Sequence, residues 1–218
     1  MKVNFINKFI FPNYDCDAYL LNLENFDFKV DKMYLHEEIT EKIKLTENFN
    51  IENFEPLIVT AFNEKILNID KEYIEIDEFY LLDGHHRWDV AVRSNQINKL
   101  KFILVNSKDV KIDSYYFELN TEIKTFDSIL DENRFVKVSI NENSLRFNKQ
   151  YYSSEMYNNI NLLYNFKRKI QTSNLITPVG DKNIPEERKV AFTPVGLKDL
   201  RNLKSLLPPK STWITPRI

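Results

Sequence analysis

The sequence is short of the residues that build most small catalytic devices. Its 218 residues include one cysteine, three glycines and three histidines. A single cysteine, Cys16, excludes an intramolecular disulfide and a cysteine-rich zinc site. It reads as a buried or half-buried thiol in a reducing compartment. Three glycines hardly suffice for the Gly-rich loop of a P-loop. No apolar run approaches the ~18 residues of a membrane span. The first residues, "MKVNFINKFIFPNYD", carry a short apolar patch broken by Asn and Pro, with no small-residue cleavage site. Long basic blocks are missing too, and the formal net charge is -2. The clusters "KRK" at Lys167 to Lys169 and Lys182/Arg188/Lys189 are short and flanked by acids or polar residues. They read as solvated faces. These absences point to a cytoplasmic protein that uses neither a membrane nor nucleic acid as its partner.

What remains is an ordinary apolar fraction and a length sufficient for one large or two small domains. The pattern is α+β. "MYLHEEITEKIKLTENF" predicts a strand end turning into a short helix, with Ile39 and Ile43 on one face. "EPLIVTAF" is a strand, opened by Pro56. "EYIEIDEFYLLD" predicts a hairpin arm feeding a central strand. "HHRWDVAVRS" is a short helix with Trp88, Ala91 and Val92 at helical spacing, and "KLKFILVN" is the next strand. The second half predicts a linker helix and a strand pair in "TFDSILDENRFVKVSINENSLRF". A core helix follows in "SEMYNNINLLYNFKRKIQT", with Met156, Ile160, Leu163 and Phe166 on or near one face. Val190 to Pro194 predicts a strand, Leu197 to Leu206 a helix, and "PPKSTW" a rigid extended exit. The expected boundary lies near residue 125, giving domains 1–125 and 126–218.

One string carries chemistry. In "FYLLDGHHRWDVAV" a buried strand ends at Leu82, Asp83 and Gly84 turn the chain, and a helix begins near His85. Such a junction leaves backbone N–H groups at the positive end of a helix. Gly84 permits close approach of a ligand. His85, His86 and Arg87 add donors and positive charge where the helix dipole disfavours them, and an anion resolves that conflict. Arg87 can grip phosphate oxygens in pairs. Asp83 can hold a magnesium ion or fix a histidine tautomer. A simpler reading makes Asp83 a helix cap and the pair a turn. A zinc site from His36, His85 and His86 is disfavoured, because adjacent histidines on one helical turn point apart.

The string resembles the Gly-x-x-Arg segment of the ParB/sulfiredoxin superfamily. Asp83-Gly84-His85-His86-Arg87 is most similar to the free serine kinases of that superfamily, which phosphorylate L-serine using ADP or ATP. "LHEEI", Leu35 to Ile39, ahead of "EPLIVTA", Glu55 to Ala61, resembles the family's acidic motif and the strand after it. The resemblance spans about Lys32 to Val105. It implies a ParB/sulfiredoxin-like nucleotide-binding domain followed by a smaller α+β domain. It places a catalytic base at Glu37, or at Glu38 one residue on. Sulfiredoxin chemistry is excluded, because His85 stands where a cysteine is required. The partition proteins' segment and basic charge are absent.

The tail "LPPKSTWITP", Leu207 to Pro216, is similar to the ending of a larger uncharacterised prokaryotic family that also carries Asp-Gly-His-His-Arg. The two resemblances imply one site. Gly84, His85, His86 and Arg87 would hold the phosphates of ATP or ADP, and Lys210, Ser211 and Thr212 would offer a cation and two hydroxyls to phosphate or to the serine carboxylate. Asp83 would hold Mg²⁺, Glu37 would take the serine proton, and His86 would steady the transferring group. The competing reading is a non-catalytic module that binds a nucleotide or phosphoamino acid. An acid at Glu37 argues against it, since a carboxylate repels an anion. A DNA-linked CTPase switch would need a basic surface.

Overall fold

The computed structural model describes residues 2–22, 30–39, 44, 50–61, 73–76, 78–140, 143–179, 183–203 and 205–218. The chain divides into two compact units, Met1–Lys111 with Ile214–Ile218, and Ile112–Trp213. The boundary expected near residue 125 falls inside a helix of the second unit.

The first unit is built on a seven-stranded mixed sheet. Its strands are β1 (Lys2–Phe11), β2 (Cys16–Asn22), β3 (Met33–Tyr34), β4 (Leu57–Ala61), β5 (Tyr73–Glu75), β6 (Phe79–Asp83) and β7 (Phe102–Val105). Their order is β3-β6-β4-β7-β2-β1-β5. β4 and β7 run parallel at the centre and are buried along their whole length. That is why both read as unbroken apolar runs rather than alternating ones. The one polar residue there, Thr60, is fully buried and donates its hydroxyl to the Val105 carbonyl at 2.9 Å. β5 is not a hairpin arm of β6. It pairs with β1 at the far edge of the sheet. α1 (His85–Arg93) follows β6 and buries Trp88, Val90 and Ala91, with Val92 partly covered. The Trp88 ring meets Phe102 edge-on at 6.4 Å. Cys16 is buried, as its type suggested.

One irregularity positions the chemistry. In the β4–β6 ladder, Ile58 pairs with Asp83 while Val59 pairs with Leu81. Leu82 is therefore an extra residue, a bulge that re-aims the end of β6. The helix expected after Leu35 lies mostly outside the described residues.

The second unit is antiparallel. β8 (Lys111–Ser114) leads into β9 (Tyr116–Leu119), α2 (Ile123–Glu132), β10 (Val136–Val138), β11 (Leu145–Phe147), β12 (Gln150–Ser153) and α3 (Ile160–Thr172). β13 (Ile176–Pro178), β14 (Lys189–Phe192) and α4 (Leu197–Arg201) complete it, and β15 (Thr212–Thr215) carries the chain back into the residues Ile214–Ile218 of the first unit. Six of these strands form a sheet in the order β10-β12-β11-β14-β9-β13. Asn159 caps α3 by accepting from the Leu162 N–H at 3.1 Å, and Leu163, Phe166 and Ile170 face the core. Met156 precedes the helix and is exposed. α4 is shorter than predicted, ending at Arg201. "PPKSTW" is not a straight exit. Lys210 turns the chain with φ of 58°, and β15 follows.

Lys167 corrects the reading of "KRK" as a solvated face. It is fully buried. Its Nζ donates to Pro209 O at 2.8 Å and to Ser211 Oγ at 3.2 Å, and sits 5.0 Å from the Phe117 ring centre. Arg168 and Lys169 are at the surface. Arg188 donates to Leu119 O, and Lys189 pairs with Glu186 at 2.8 Å. Lys182 lies outside the described residues.

Candidate functional site at the start of helix α1

The bulge in β6 delivers Asp83 to the first turn of α1, and Gly84 makes the turn. Gly84 has φ of 98°, which penalises any residue with a Cβ. A Cβ there would also lie 3.1 Å from Leu57 Cγ and 3.1 Å from Arg87 Nε. Both facts require glycine. Asp83 Oδ1 accepts the Gly84 N–H at 2.9 Å, but Gly84 is the N-cap residue and no side chain caps α1, so Asp83 is not the helix cap of the simpler reading.

Asp83 and Arg87 are tied together. Arg87 Nη2 lies 3.4 Å from Asp83 Oδ2. Its Nη1 donates to the carbonyls of Glu55 and Pro56, at 2.8 and 3.0 Å, and lies 3.7 Å from the Glu55 carboxylate. This guanidinium fastens α1 to the chain entering β4. Two further groups face Asp83: the Ile218 N–H donates to Oδ2 at 3.3 Å, and Arg217 Nη2 lies 4.0 Å from Oδ1. Both Asp83 oxygens thus meet N–H donors. That surrounding does not suit a magnesium ligand. No group of three His, Cys, Asp or Glu able to hold a metal occurs among the described residues.

The histidines lie differently from one another. His86 is exposed and His85 is half-buried. The His85 ring meets His36 edge-on, with centres 4.4 Å apart. His36 is 3% exposed, stacks on Tyr80 at 5.8 Å, and shares a hydrogen bond with Leu81 O through Nδ1 at 3.2 Å. A carbonyl only accepts, so Nδ1 carries the proton and Nε2 is bare in the neutral ring. Burial lowers His36 to about 4, with the Leu81 hydrogen bond opposing the shift. Burial first, and the neighbouring His36 second, lower His85 to about 3. Both rings are neutral at pH 7.

Glu37 completes the group. Its carboxylate is 3.9 Å from His36 Nε2 and about four-fifths covered, with 19% of its side chain exposed. Its charge acts on His85, as does that of Asp83, and it adds to the burial that pushes the Tyr80 phenol up. The parallel pairing of β3 with β6, through Met33–Phe79 and Tyr34–Tyr80, is what brings this acid to the α1 turn. His85 Nε2 is buried with no hydrogen-bond partner. A buried nitrogen left so is rare in native proteins and calls for an explanation.

Structure therefore brings Glu37, Asp83, Gly84, His85 and Arg87 into one neighbourhood, with His86 on the exposed side of the same turn. Lys210, Ser211 and Thr212 belong to the second unit. Ser211 and Thr212 are buried there, and the Ser211 hydroxyl accepts from Lys167 and donates to Pro208 O. His36 was considered only as one of three zinc ligands with His85 and His86, and it lies here as a buried neighbour of His85. Arg217 had no signal in the sequence.

No family model matches the sequence, and no curated protein matches it. Among solved structures, the chain is similar to SbnI with C-terminal truncation from Staphylococcus aureus. The TM-score is 0.51 at 12% identity, covering 91% of this chain and 82% of that one. A free serine kinase in complex with AMP gives 0.47 at 15% identity, covering 94% and 91%. A conserved hypothetical protein from Pyrococcus furiosus gives 0.45 at 14%, covering 85% and 88%. At these identities the likeness to SbnI is one of fold alone, and the other two carry no inference. The α+β class expected from the sequence is the class the structure has.

Proposed function

We propose that this protein is a free L-serine kinase that uses ATP or ADP. The observation that carries the reading is Glu37, a carboxylate set beside two neutral histidines at a helix start suited to phosphate. A module that only binds anions gains nothing from that acid. The resemblance of Asp83 to Arg87 to the serine-kinase segment supplies the substrate class.

In this reading the donor's phosphates lie at the start of α1, where backbone N–H groups point outward. His85 and His86 face them, and Arg87 holds the turn in shape. The serine hydroxyl oxygen attacks the terminal phosphorus. The bond from that phosphorus to the bridging oxygen breaks, and the nucleotide leaves one phosphate shorter. Glu37 accepts the hydroxyl proton, an effect worth roughly 10²–10⁴-fold. The neutral state of His85 matters here. A neutral imidazole carries one N–H, so with the proton on Nε2 the ring can donate to a phosphate oxygen without taking up charge.

Phosphorus NMR tests the reading. Purified protein with L-serine and Mg²⁺ is given ATP in one tube and ADP in another, with Glu37→Gln as control. A serine-dependent phosphomonoester signal, lost in the variant, is expected. Nucleotide binding without any phosphomonoester in either tube overturns the kinase and leaves the binding module.

A further inference from the structure

We propose that His36 is a positioning residue for Glu37: its Nε2 accepts a hydrogen bond from the Glu37 carboxyl once that acid has taken the serine proton. The inference rests on the kinase reading above and adds a second group to its proton path.

The ring is held so that one nitrogen is bare. His36 is 3% exposed and stacks on Tyr80 at 5.8 Å, with the rings 12° apart. His85 meets it edge-on at 4.4 Å. Its Nδ1 lies 3.2 Å from Leu81 O, which can only accept, so Nδ1 carries the proton. Tyr80 and Leu81 both belong to β6, so one strand fixes the tilt of the ring and its tautomer. The bare Nε2 then has the Glu37 carboxylate 3.9 Å away.

That distance is too long for a hydrogen bond, and neither group has a hydrogen to give. The pair becomes attractive once the proton has moved. The serine O–H bond breaks, and its electron pair stays on the oxygen that attacks phosphorus. The proton forms an O–H bond on Glu37. The neutral carboxyl is now a donor, and a small rotation of its side chain carries it to Nε2. On product release the proton leaves Glu37 for solvent, reached through the exposed 19% of that side chain. His36 takes up no proton at any step, because burial keeps its ring from charging. An interaction made only as the proton moves favours the transition state over the bound substrate.

A packing role fits less well. A ring present only to fill space gains nothing from a bare, desolvated nitrogen beside an acid. Phenylalanine would fill the same space without that cost.

The test uses the full chain with Mg²⁺, L-serine and the nucleotide, and follows phosphoserine by phosphorus NMR. Wild type is compared with His36→Phe and with His36→Gln, whose amide oxygen can accept. Both variants lose the donor to Leu81 O, so the difference between them isolates the acceptor. In His36→Phe, kcat is expected to fall roughly tenfold to hundredfold, with KM for serine and nucleotide unchanged. His36→Gln should recover part of that loss. Nitrogen NMR of the wild-type histidine rings at pH 7 should show His36 with its proton on Nδ1. Unchanged kcat in His36→Phe overturns the proposal. So does an equal fall in both variants, or a rise in KM alone, the signatures of a packing ring. A proton on Nε2 overturns it whatever the kinetics. If wild type makes no phosphoserine, the kinase reading falls and this role with it, an outcome separate from a working enzyme indifferent to His36.

Discussion

The two units bury ionisable nitrogen in opposite ways. In the first, His36 and His85 stand ring to ring, and burial strips their charge. His85 Nε2 has no partner. In the second, Lys167 is buried as deeply, yet its Nζ meets a carbonyl, a hydroxyl and an aromatic face. The contrast teaches what each is for. A satisfied buried cation pins structure, here the turn from Pro208 to Ser211. An unsatisfied buried nitrogen is costly, and it is at the candidate site that the chain tolerates the cost.

The largest effect should come from breaking the satisfied side. Lys167→Ala removes the stem and leaves Pro209 O and Ser211 Oγ without their donor. A loss of about 3 kcal/mol is expected in urea unfolding. Lys167→Met keeps the volume and should lose less. The two tryptophans separate the readouts, Trp88 in the first unit and Trp213 in the second. With Trp88→Phe as background, the Lys167 effect should appear in the remaining fluorescence.

Acid should act on the other side. His36 titrates near 6.5 when unfolded and about 4 when folded. The unfolded chain therefore binds more protons below 6.5, and stability falls as pH drops from 6.5 toward 4. For His36 alone the loss at pH 5 is about 2 kcal/mol. His85 shifts in the same direction. Unfolding curves at pH 7.5 and 5, read through Trp88, should show this loss, and His36→Phe should shrink it. A pH-independent midpoint would place the histidines in a solvated setting.

Gly84→Ala tests whether the turn itself is the rigid part. Its left-handed φ and two contacts at 3.1 Å predict a loss of about 1–2 kcal/mol. Nucleotide affinity should fall as well, because Arg87 is one of the atoms displaced. The smallest expected change is Asn159→Ala, which removes the α3 cap at a cost of about 1 kcal/mol. It should leave nucleotide affinity alone, and thermal melts with ADP titrations check both.

Much of this was legible beforehand. β4, β6 and β7 announce themselves because burial on both faces demands continuous apolar runs. α1 follows from Trp88 and Ala91, and the turn from Asp83-Gly84. Glu37 was found through its resemblance, and the parallel β3–β6 pairing supplies the reason it counts. Lys167 was misread because a lysine between polar neighbours looks solvated, and its partners are 42 and 44 residues away. Arg217 is a lone cation after a proline, with nothing local to mark it. Non-local partners decided both cases, and local pattern does not encode them.

The contact between Asp83 and Ile218 joins residues 135 positions apart. The chain leaves the first unit after Lys111 and rejoins it only at Ile214. During synthesis, the first unit's sheet strands have all emerged by about the halfway point, but Arg217 and Ile218, which face Asp83, have not. The tail contacts to Asp83 can form only after the entire second unit has been translated. A ribosome-stalled chain ending before Ile214 should present Asp83 with Arg87 as its one cation. The order of translation thus makes the tail's docking on Asp83 a late event in folding.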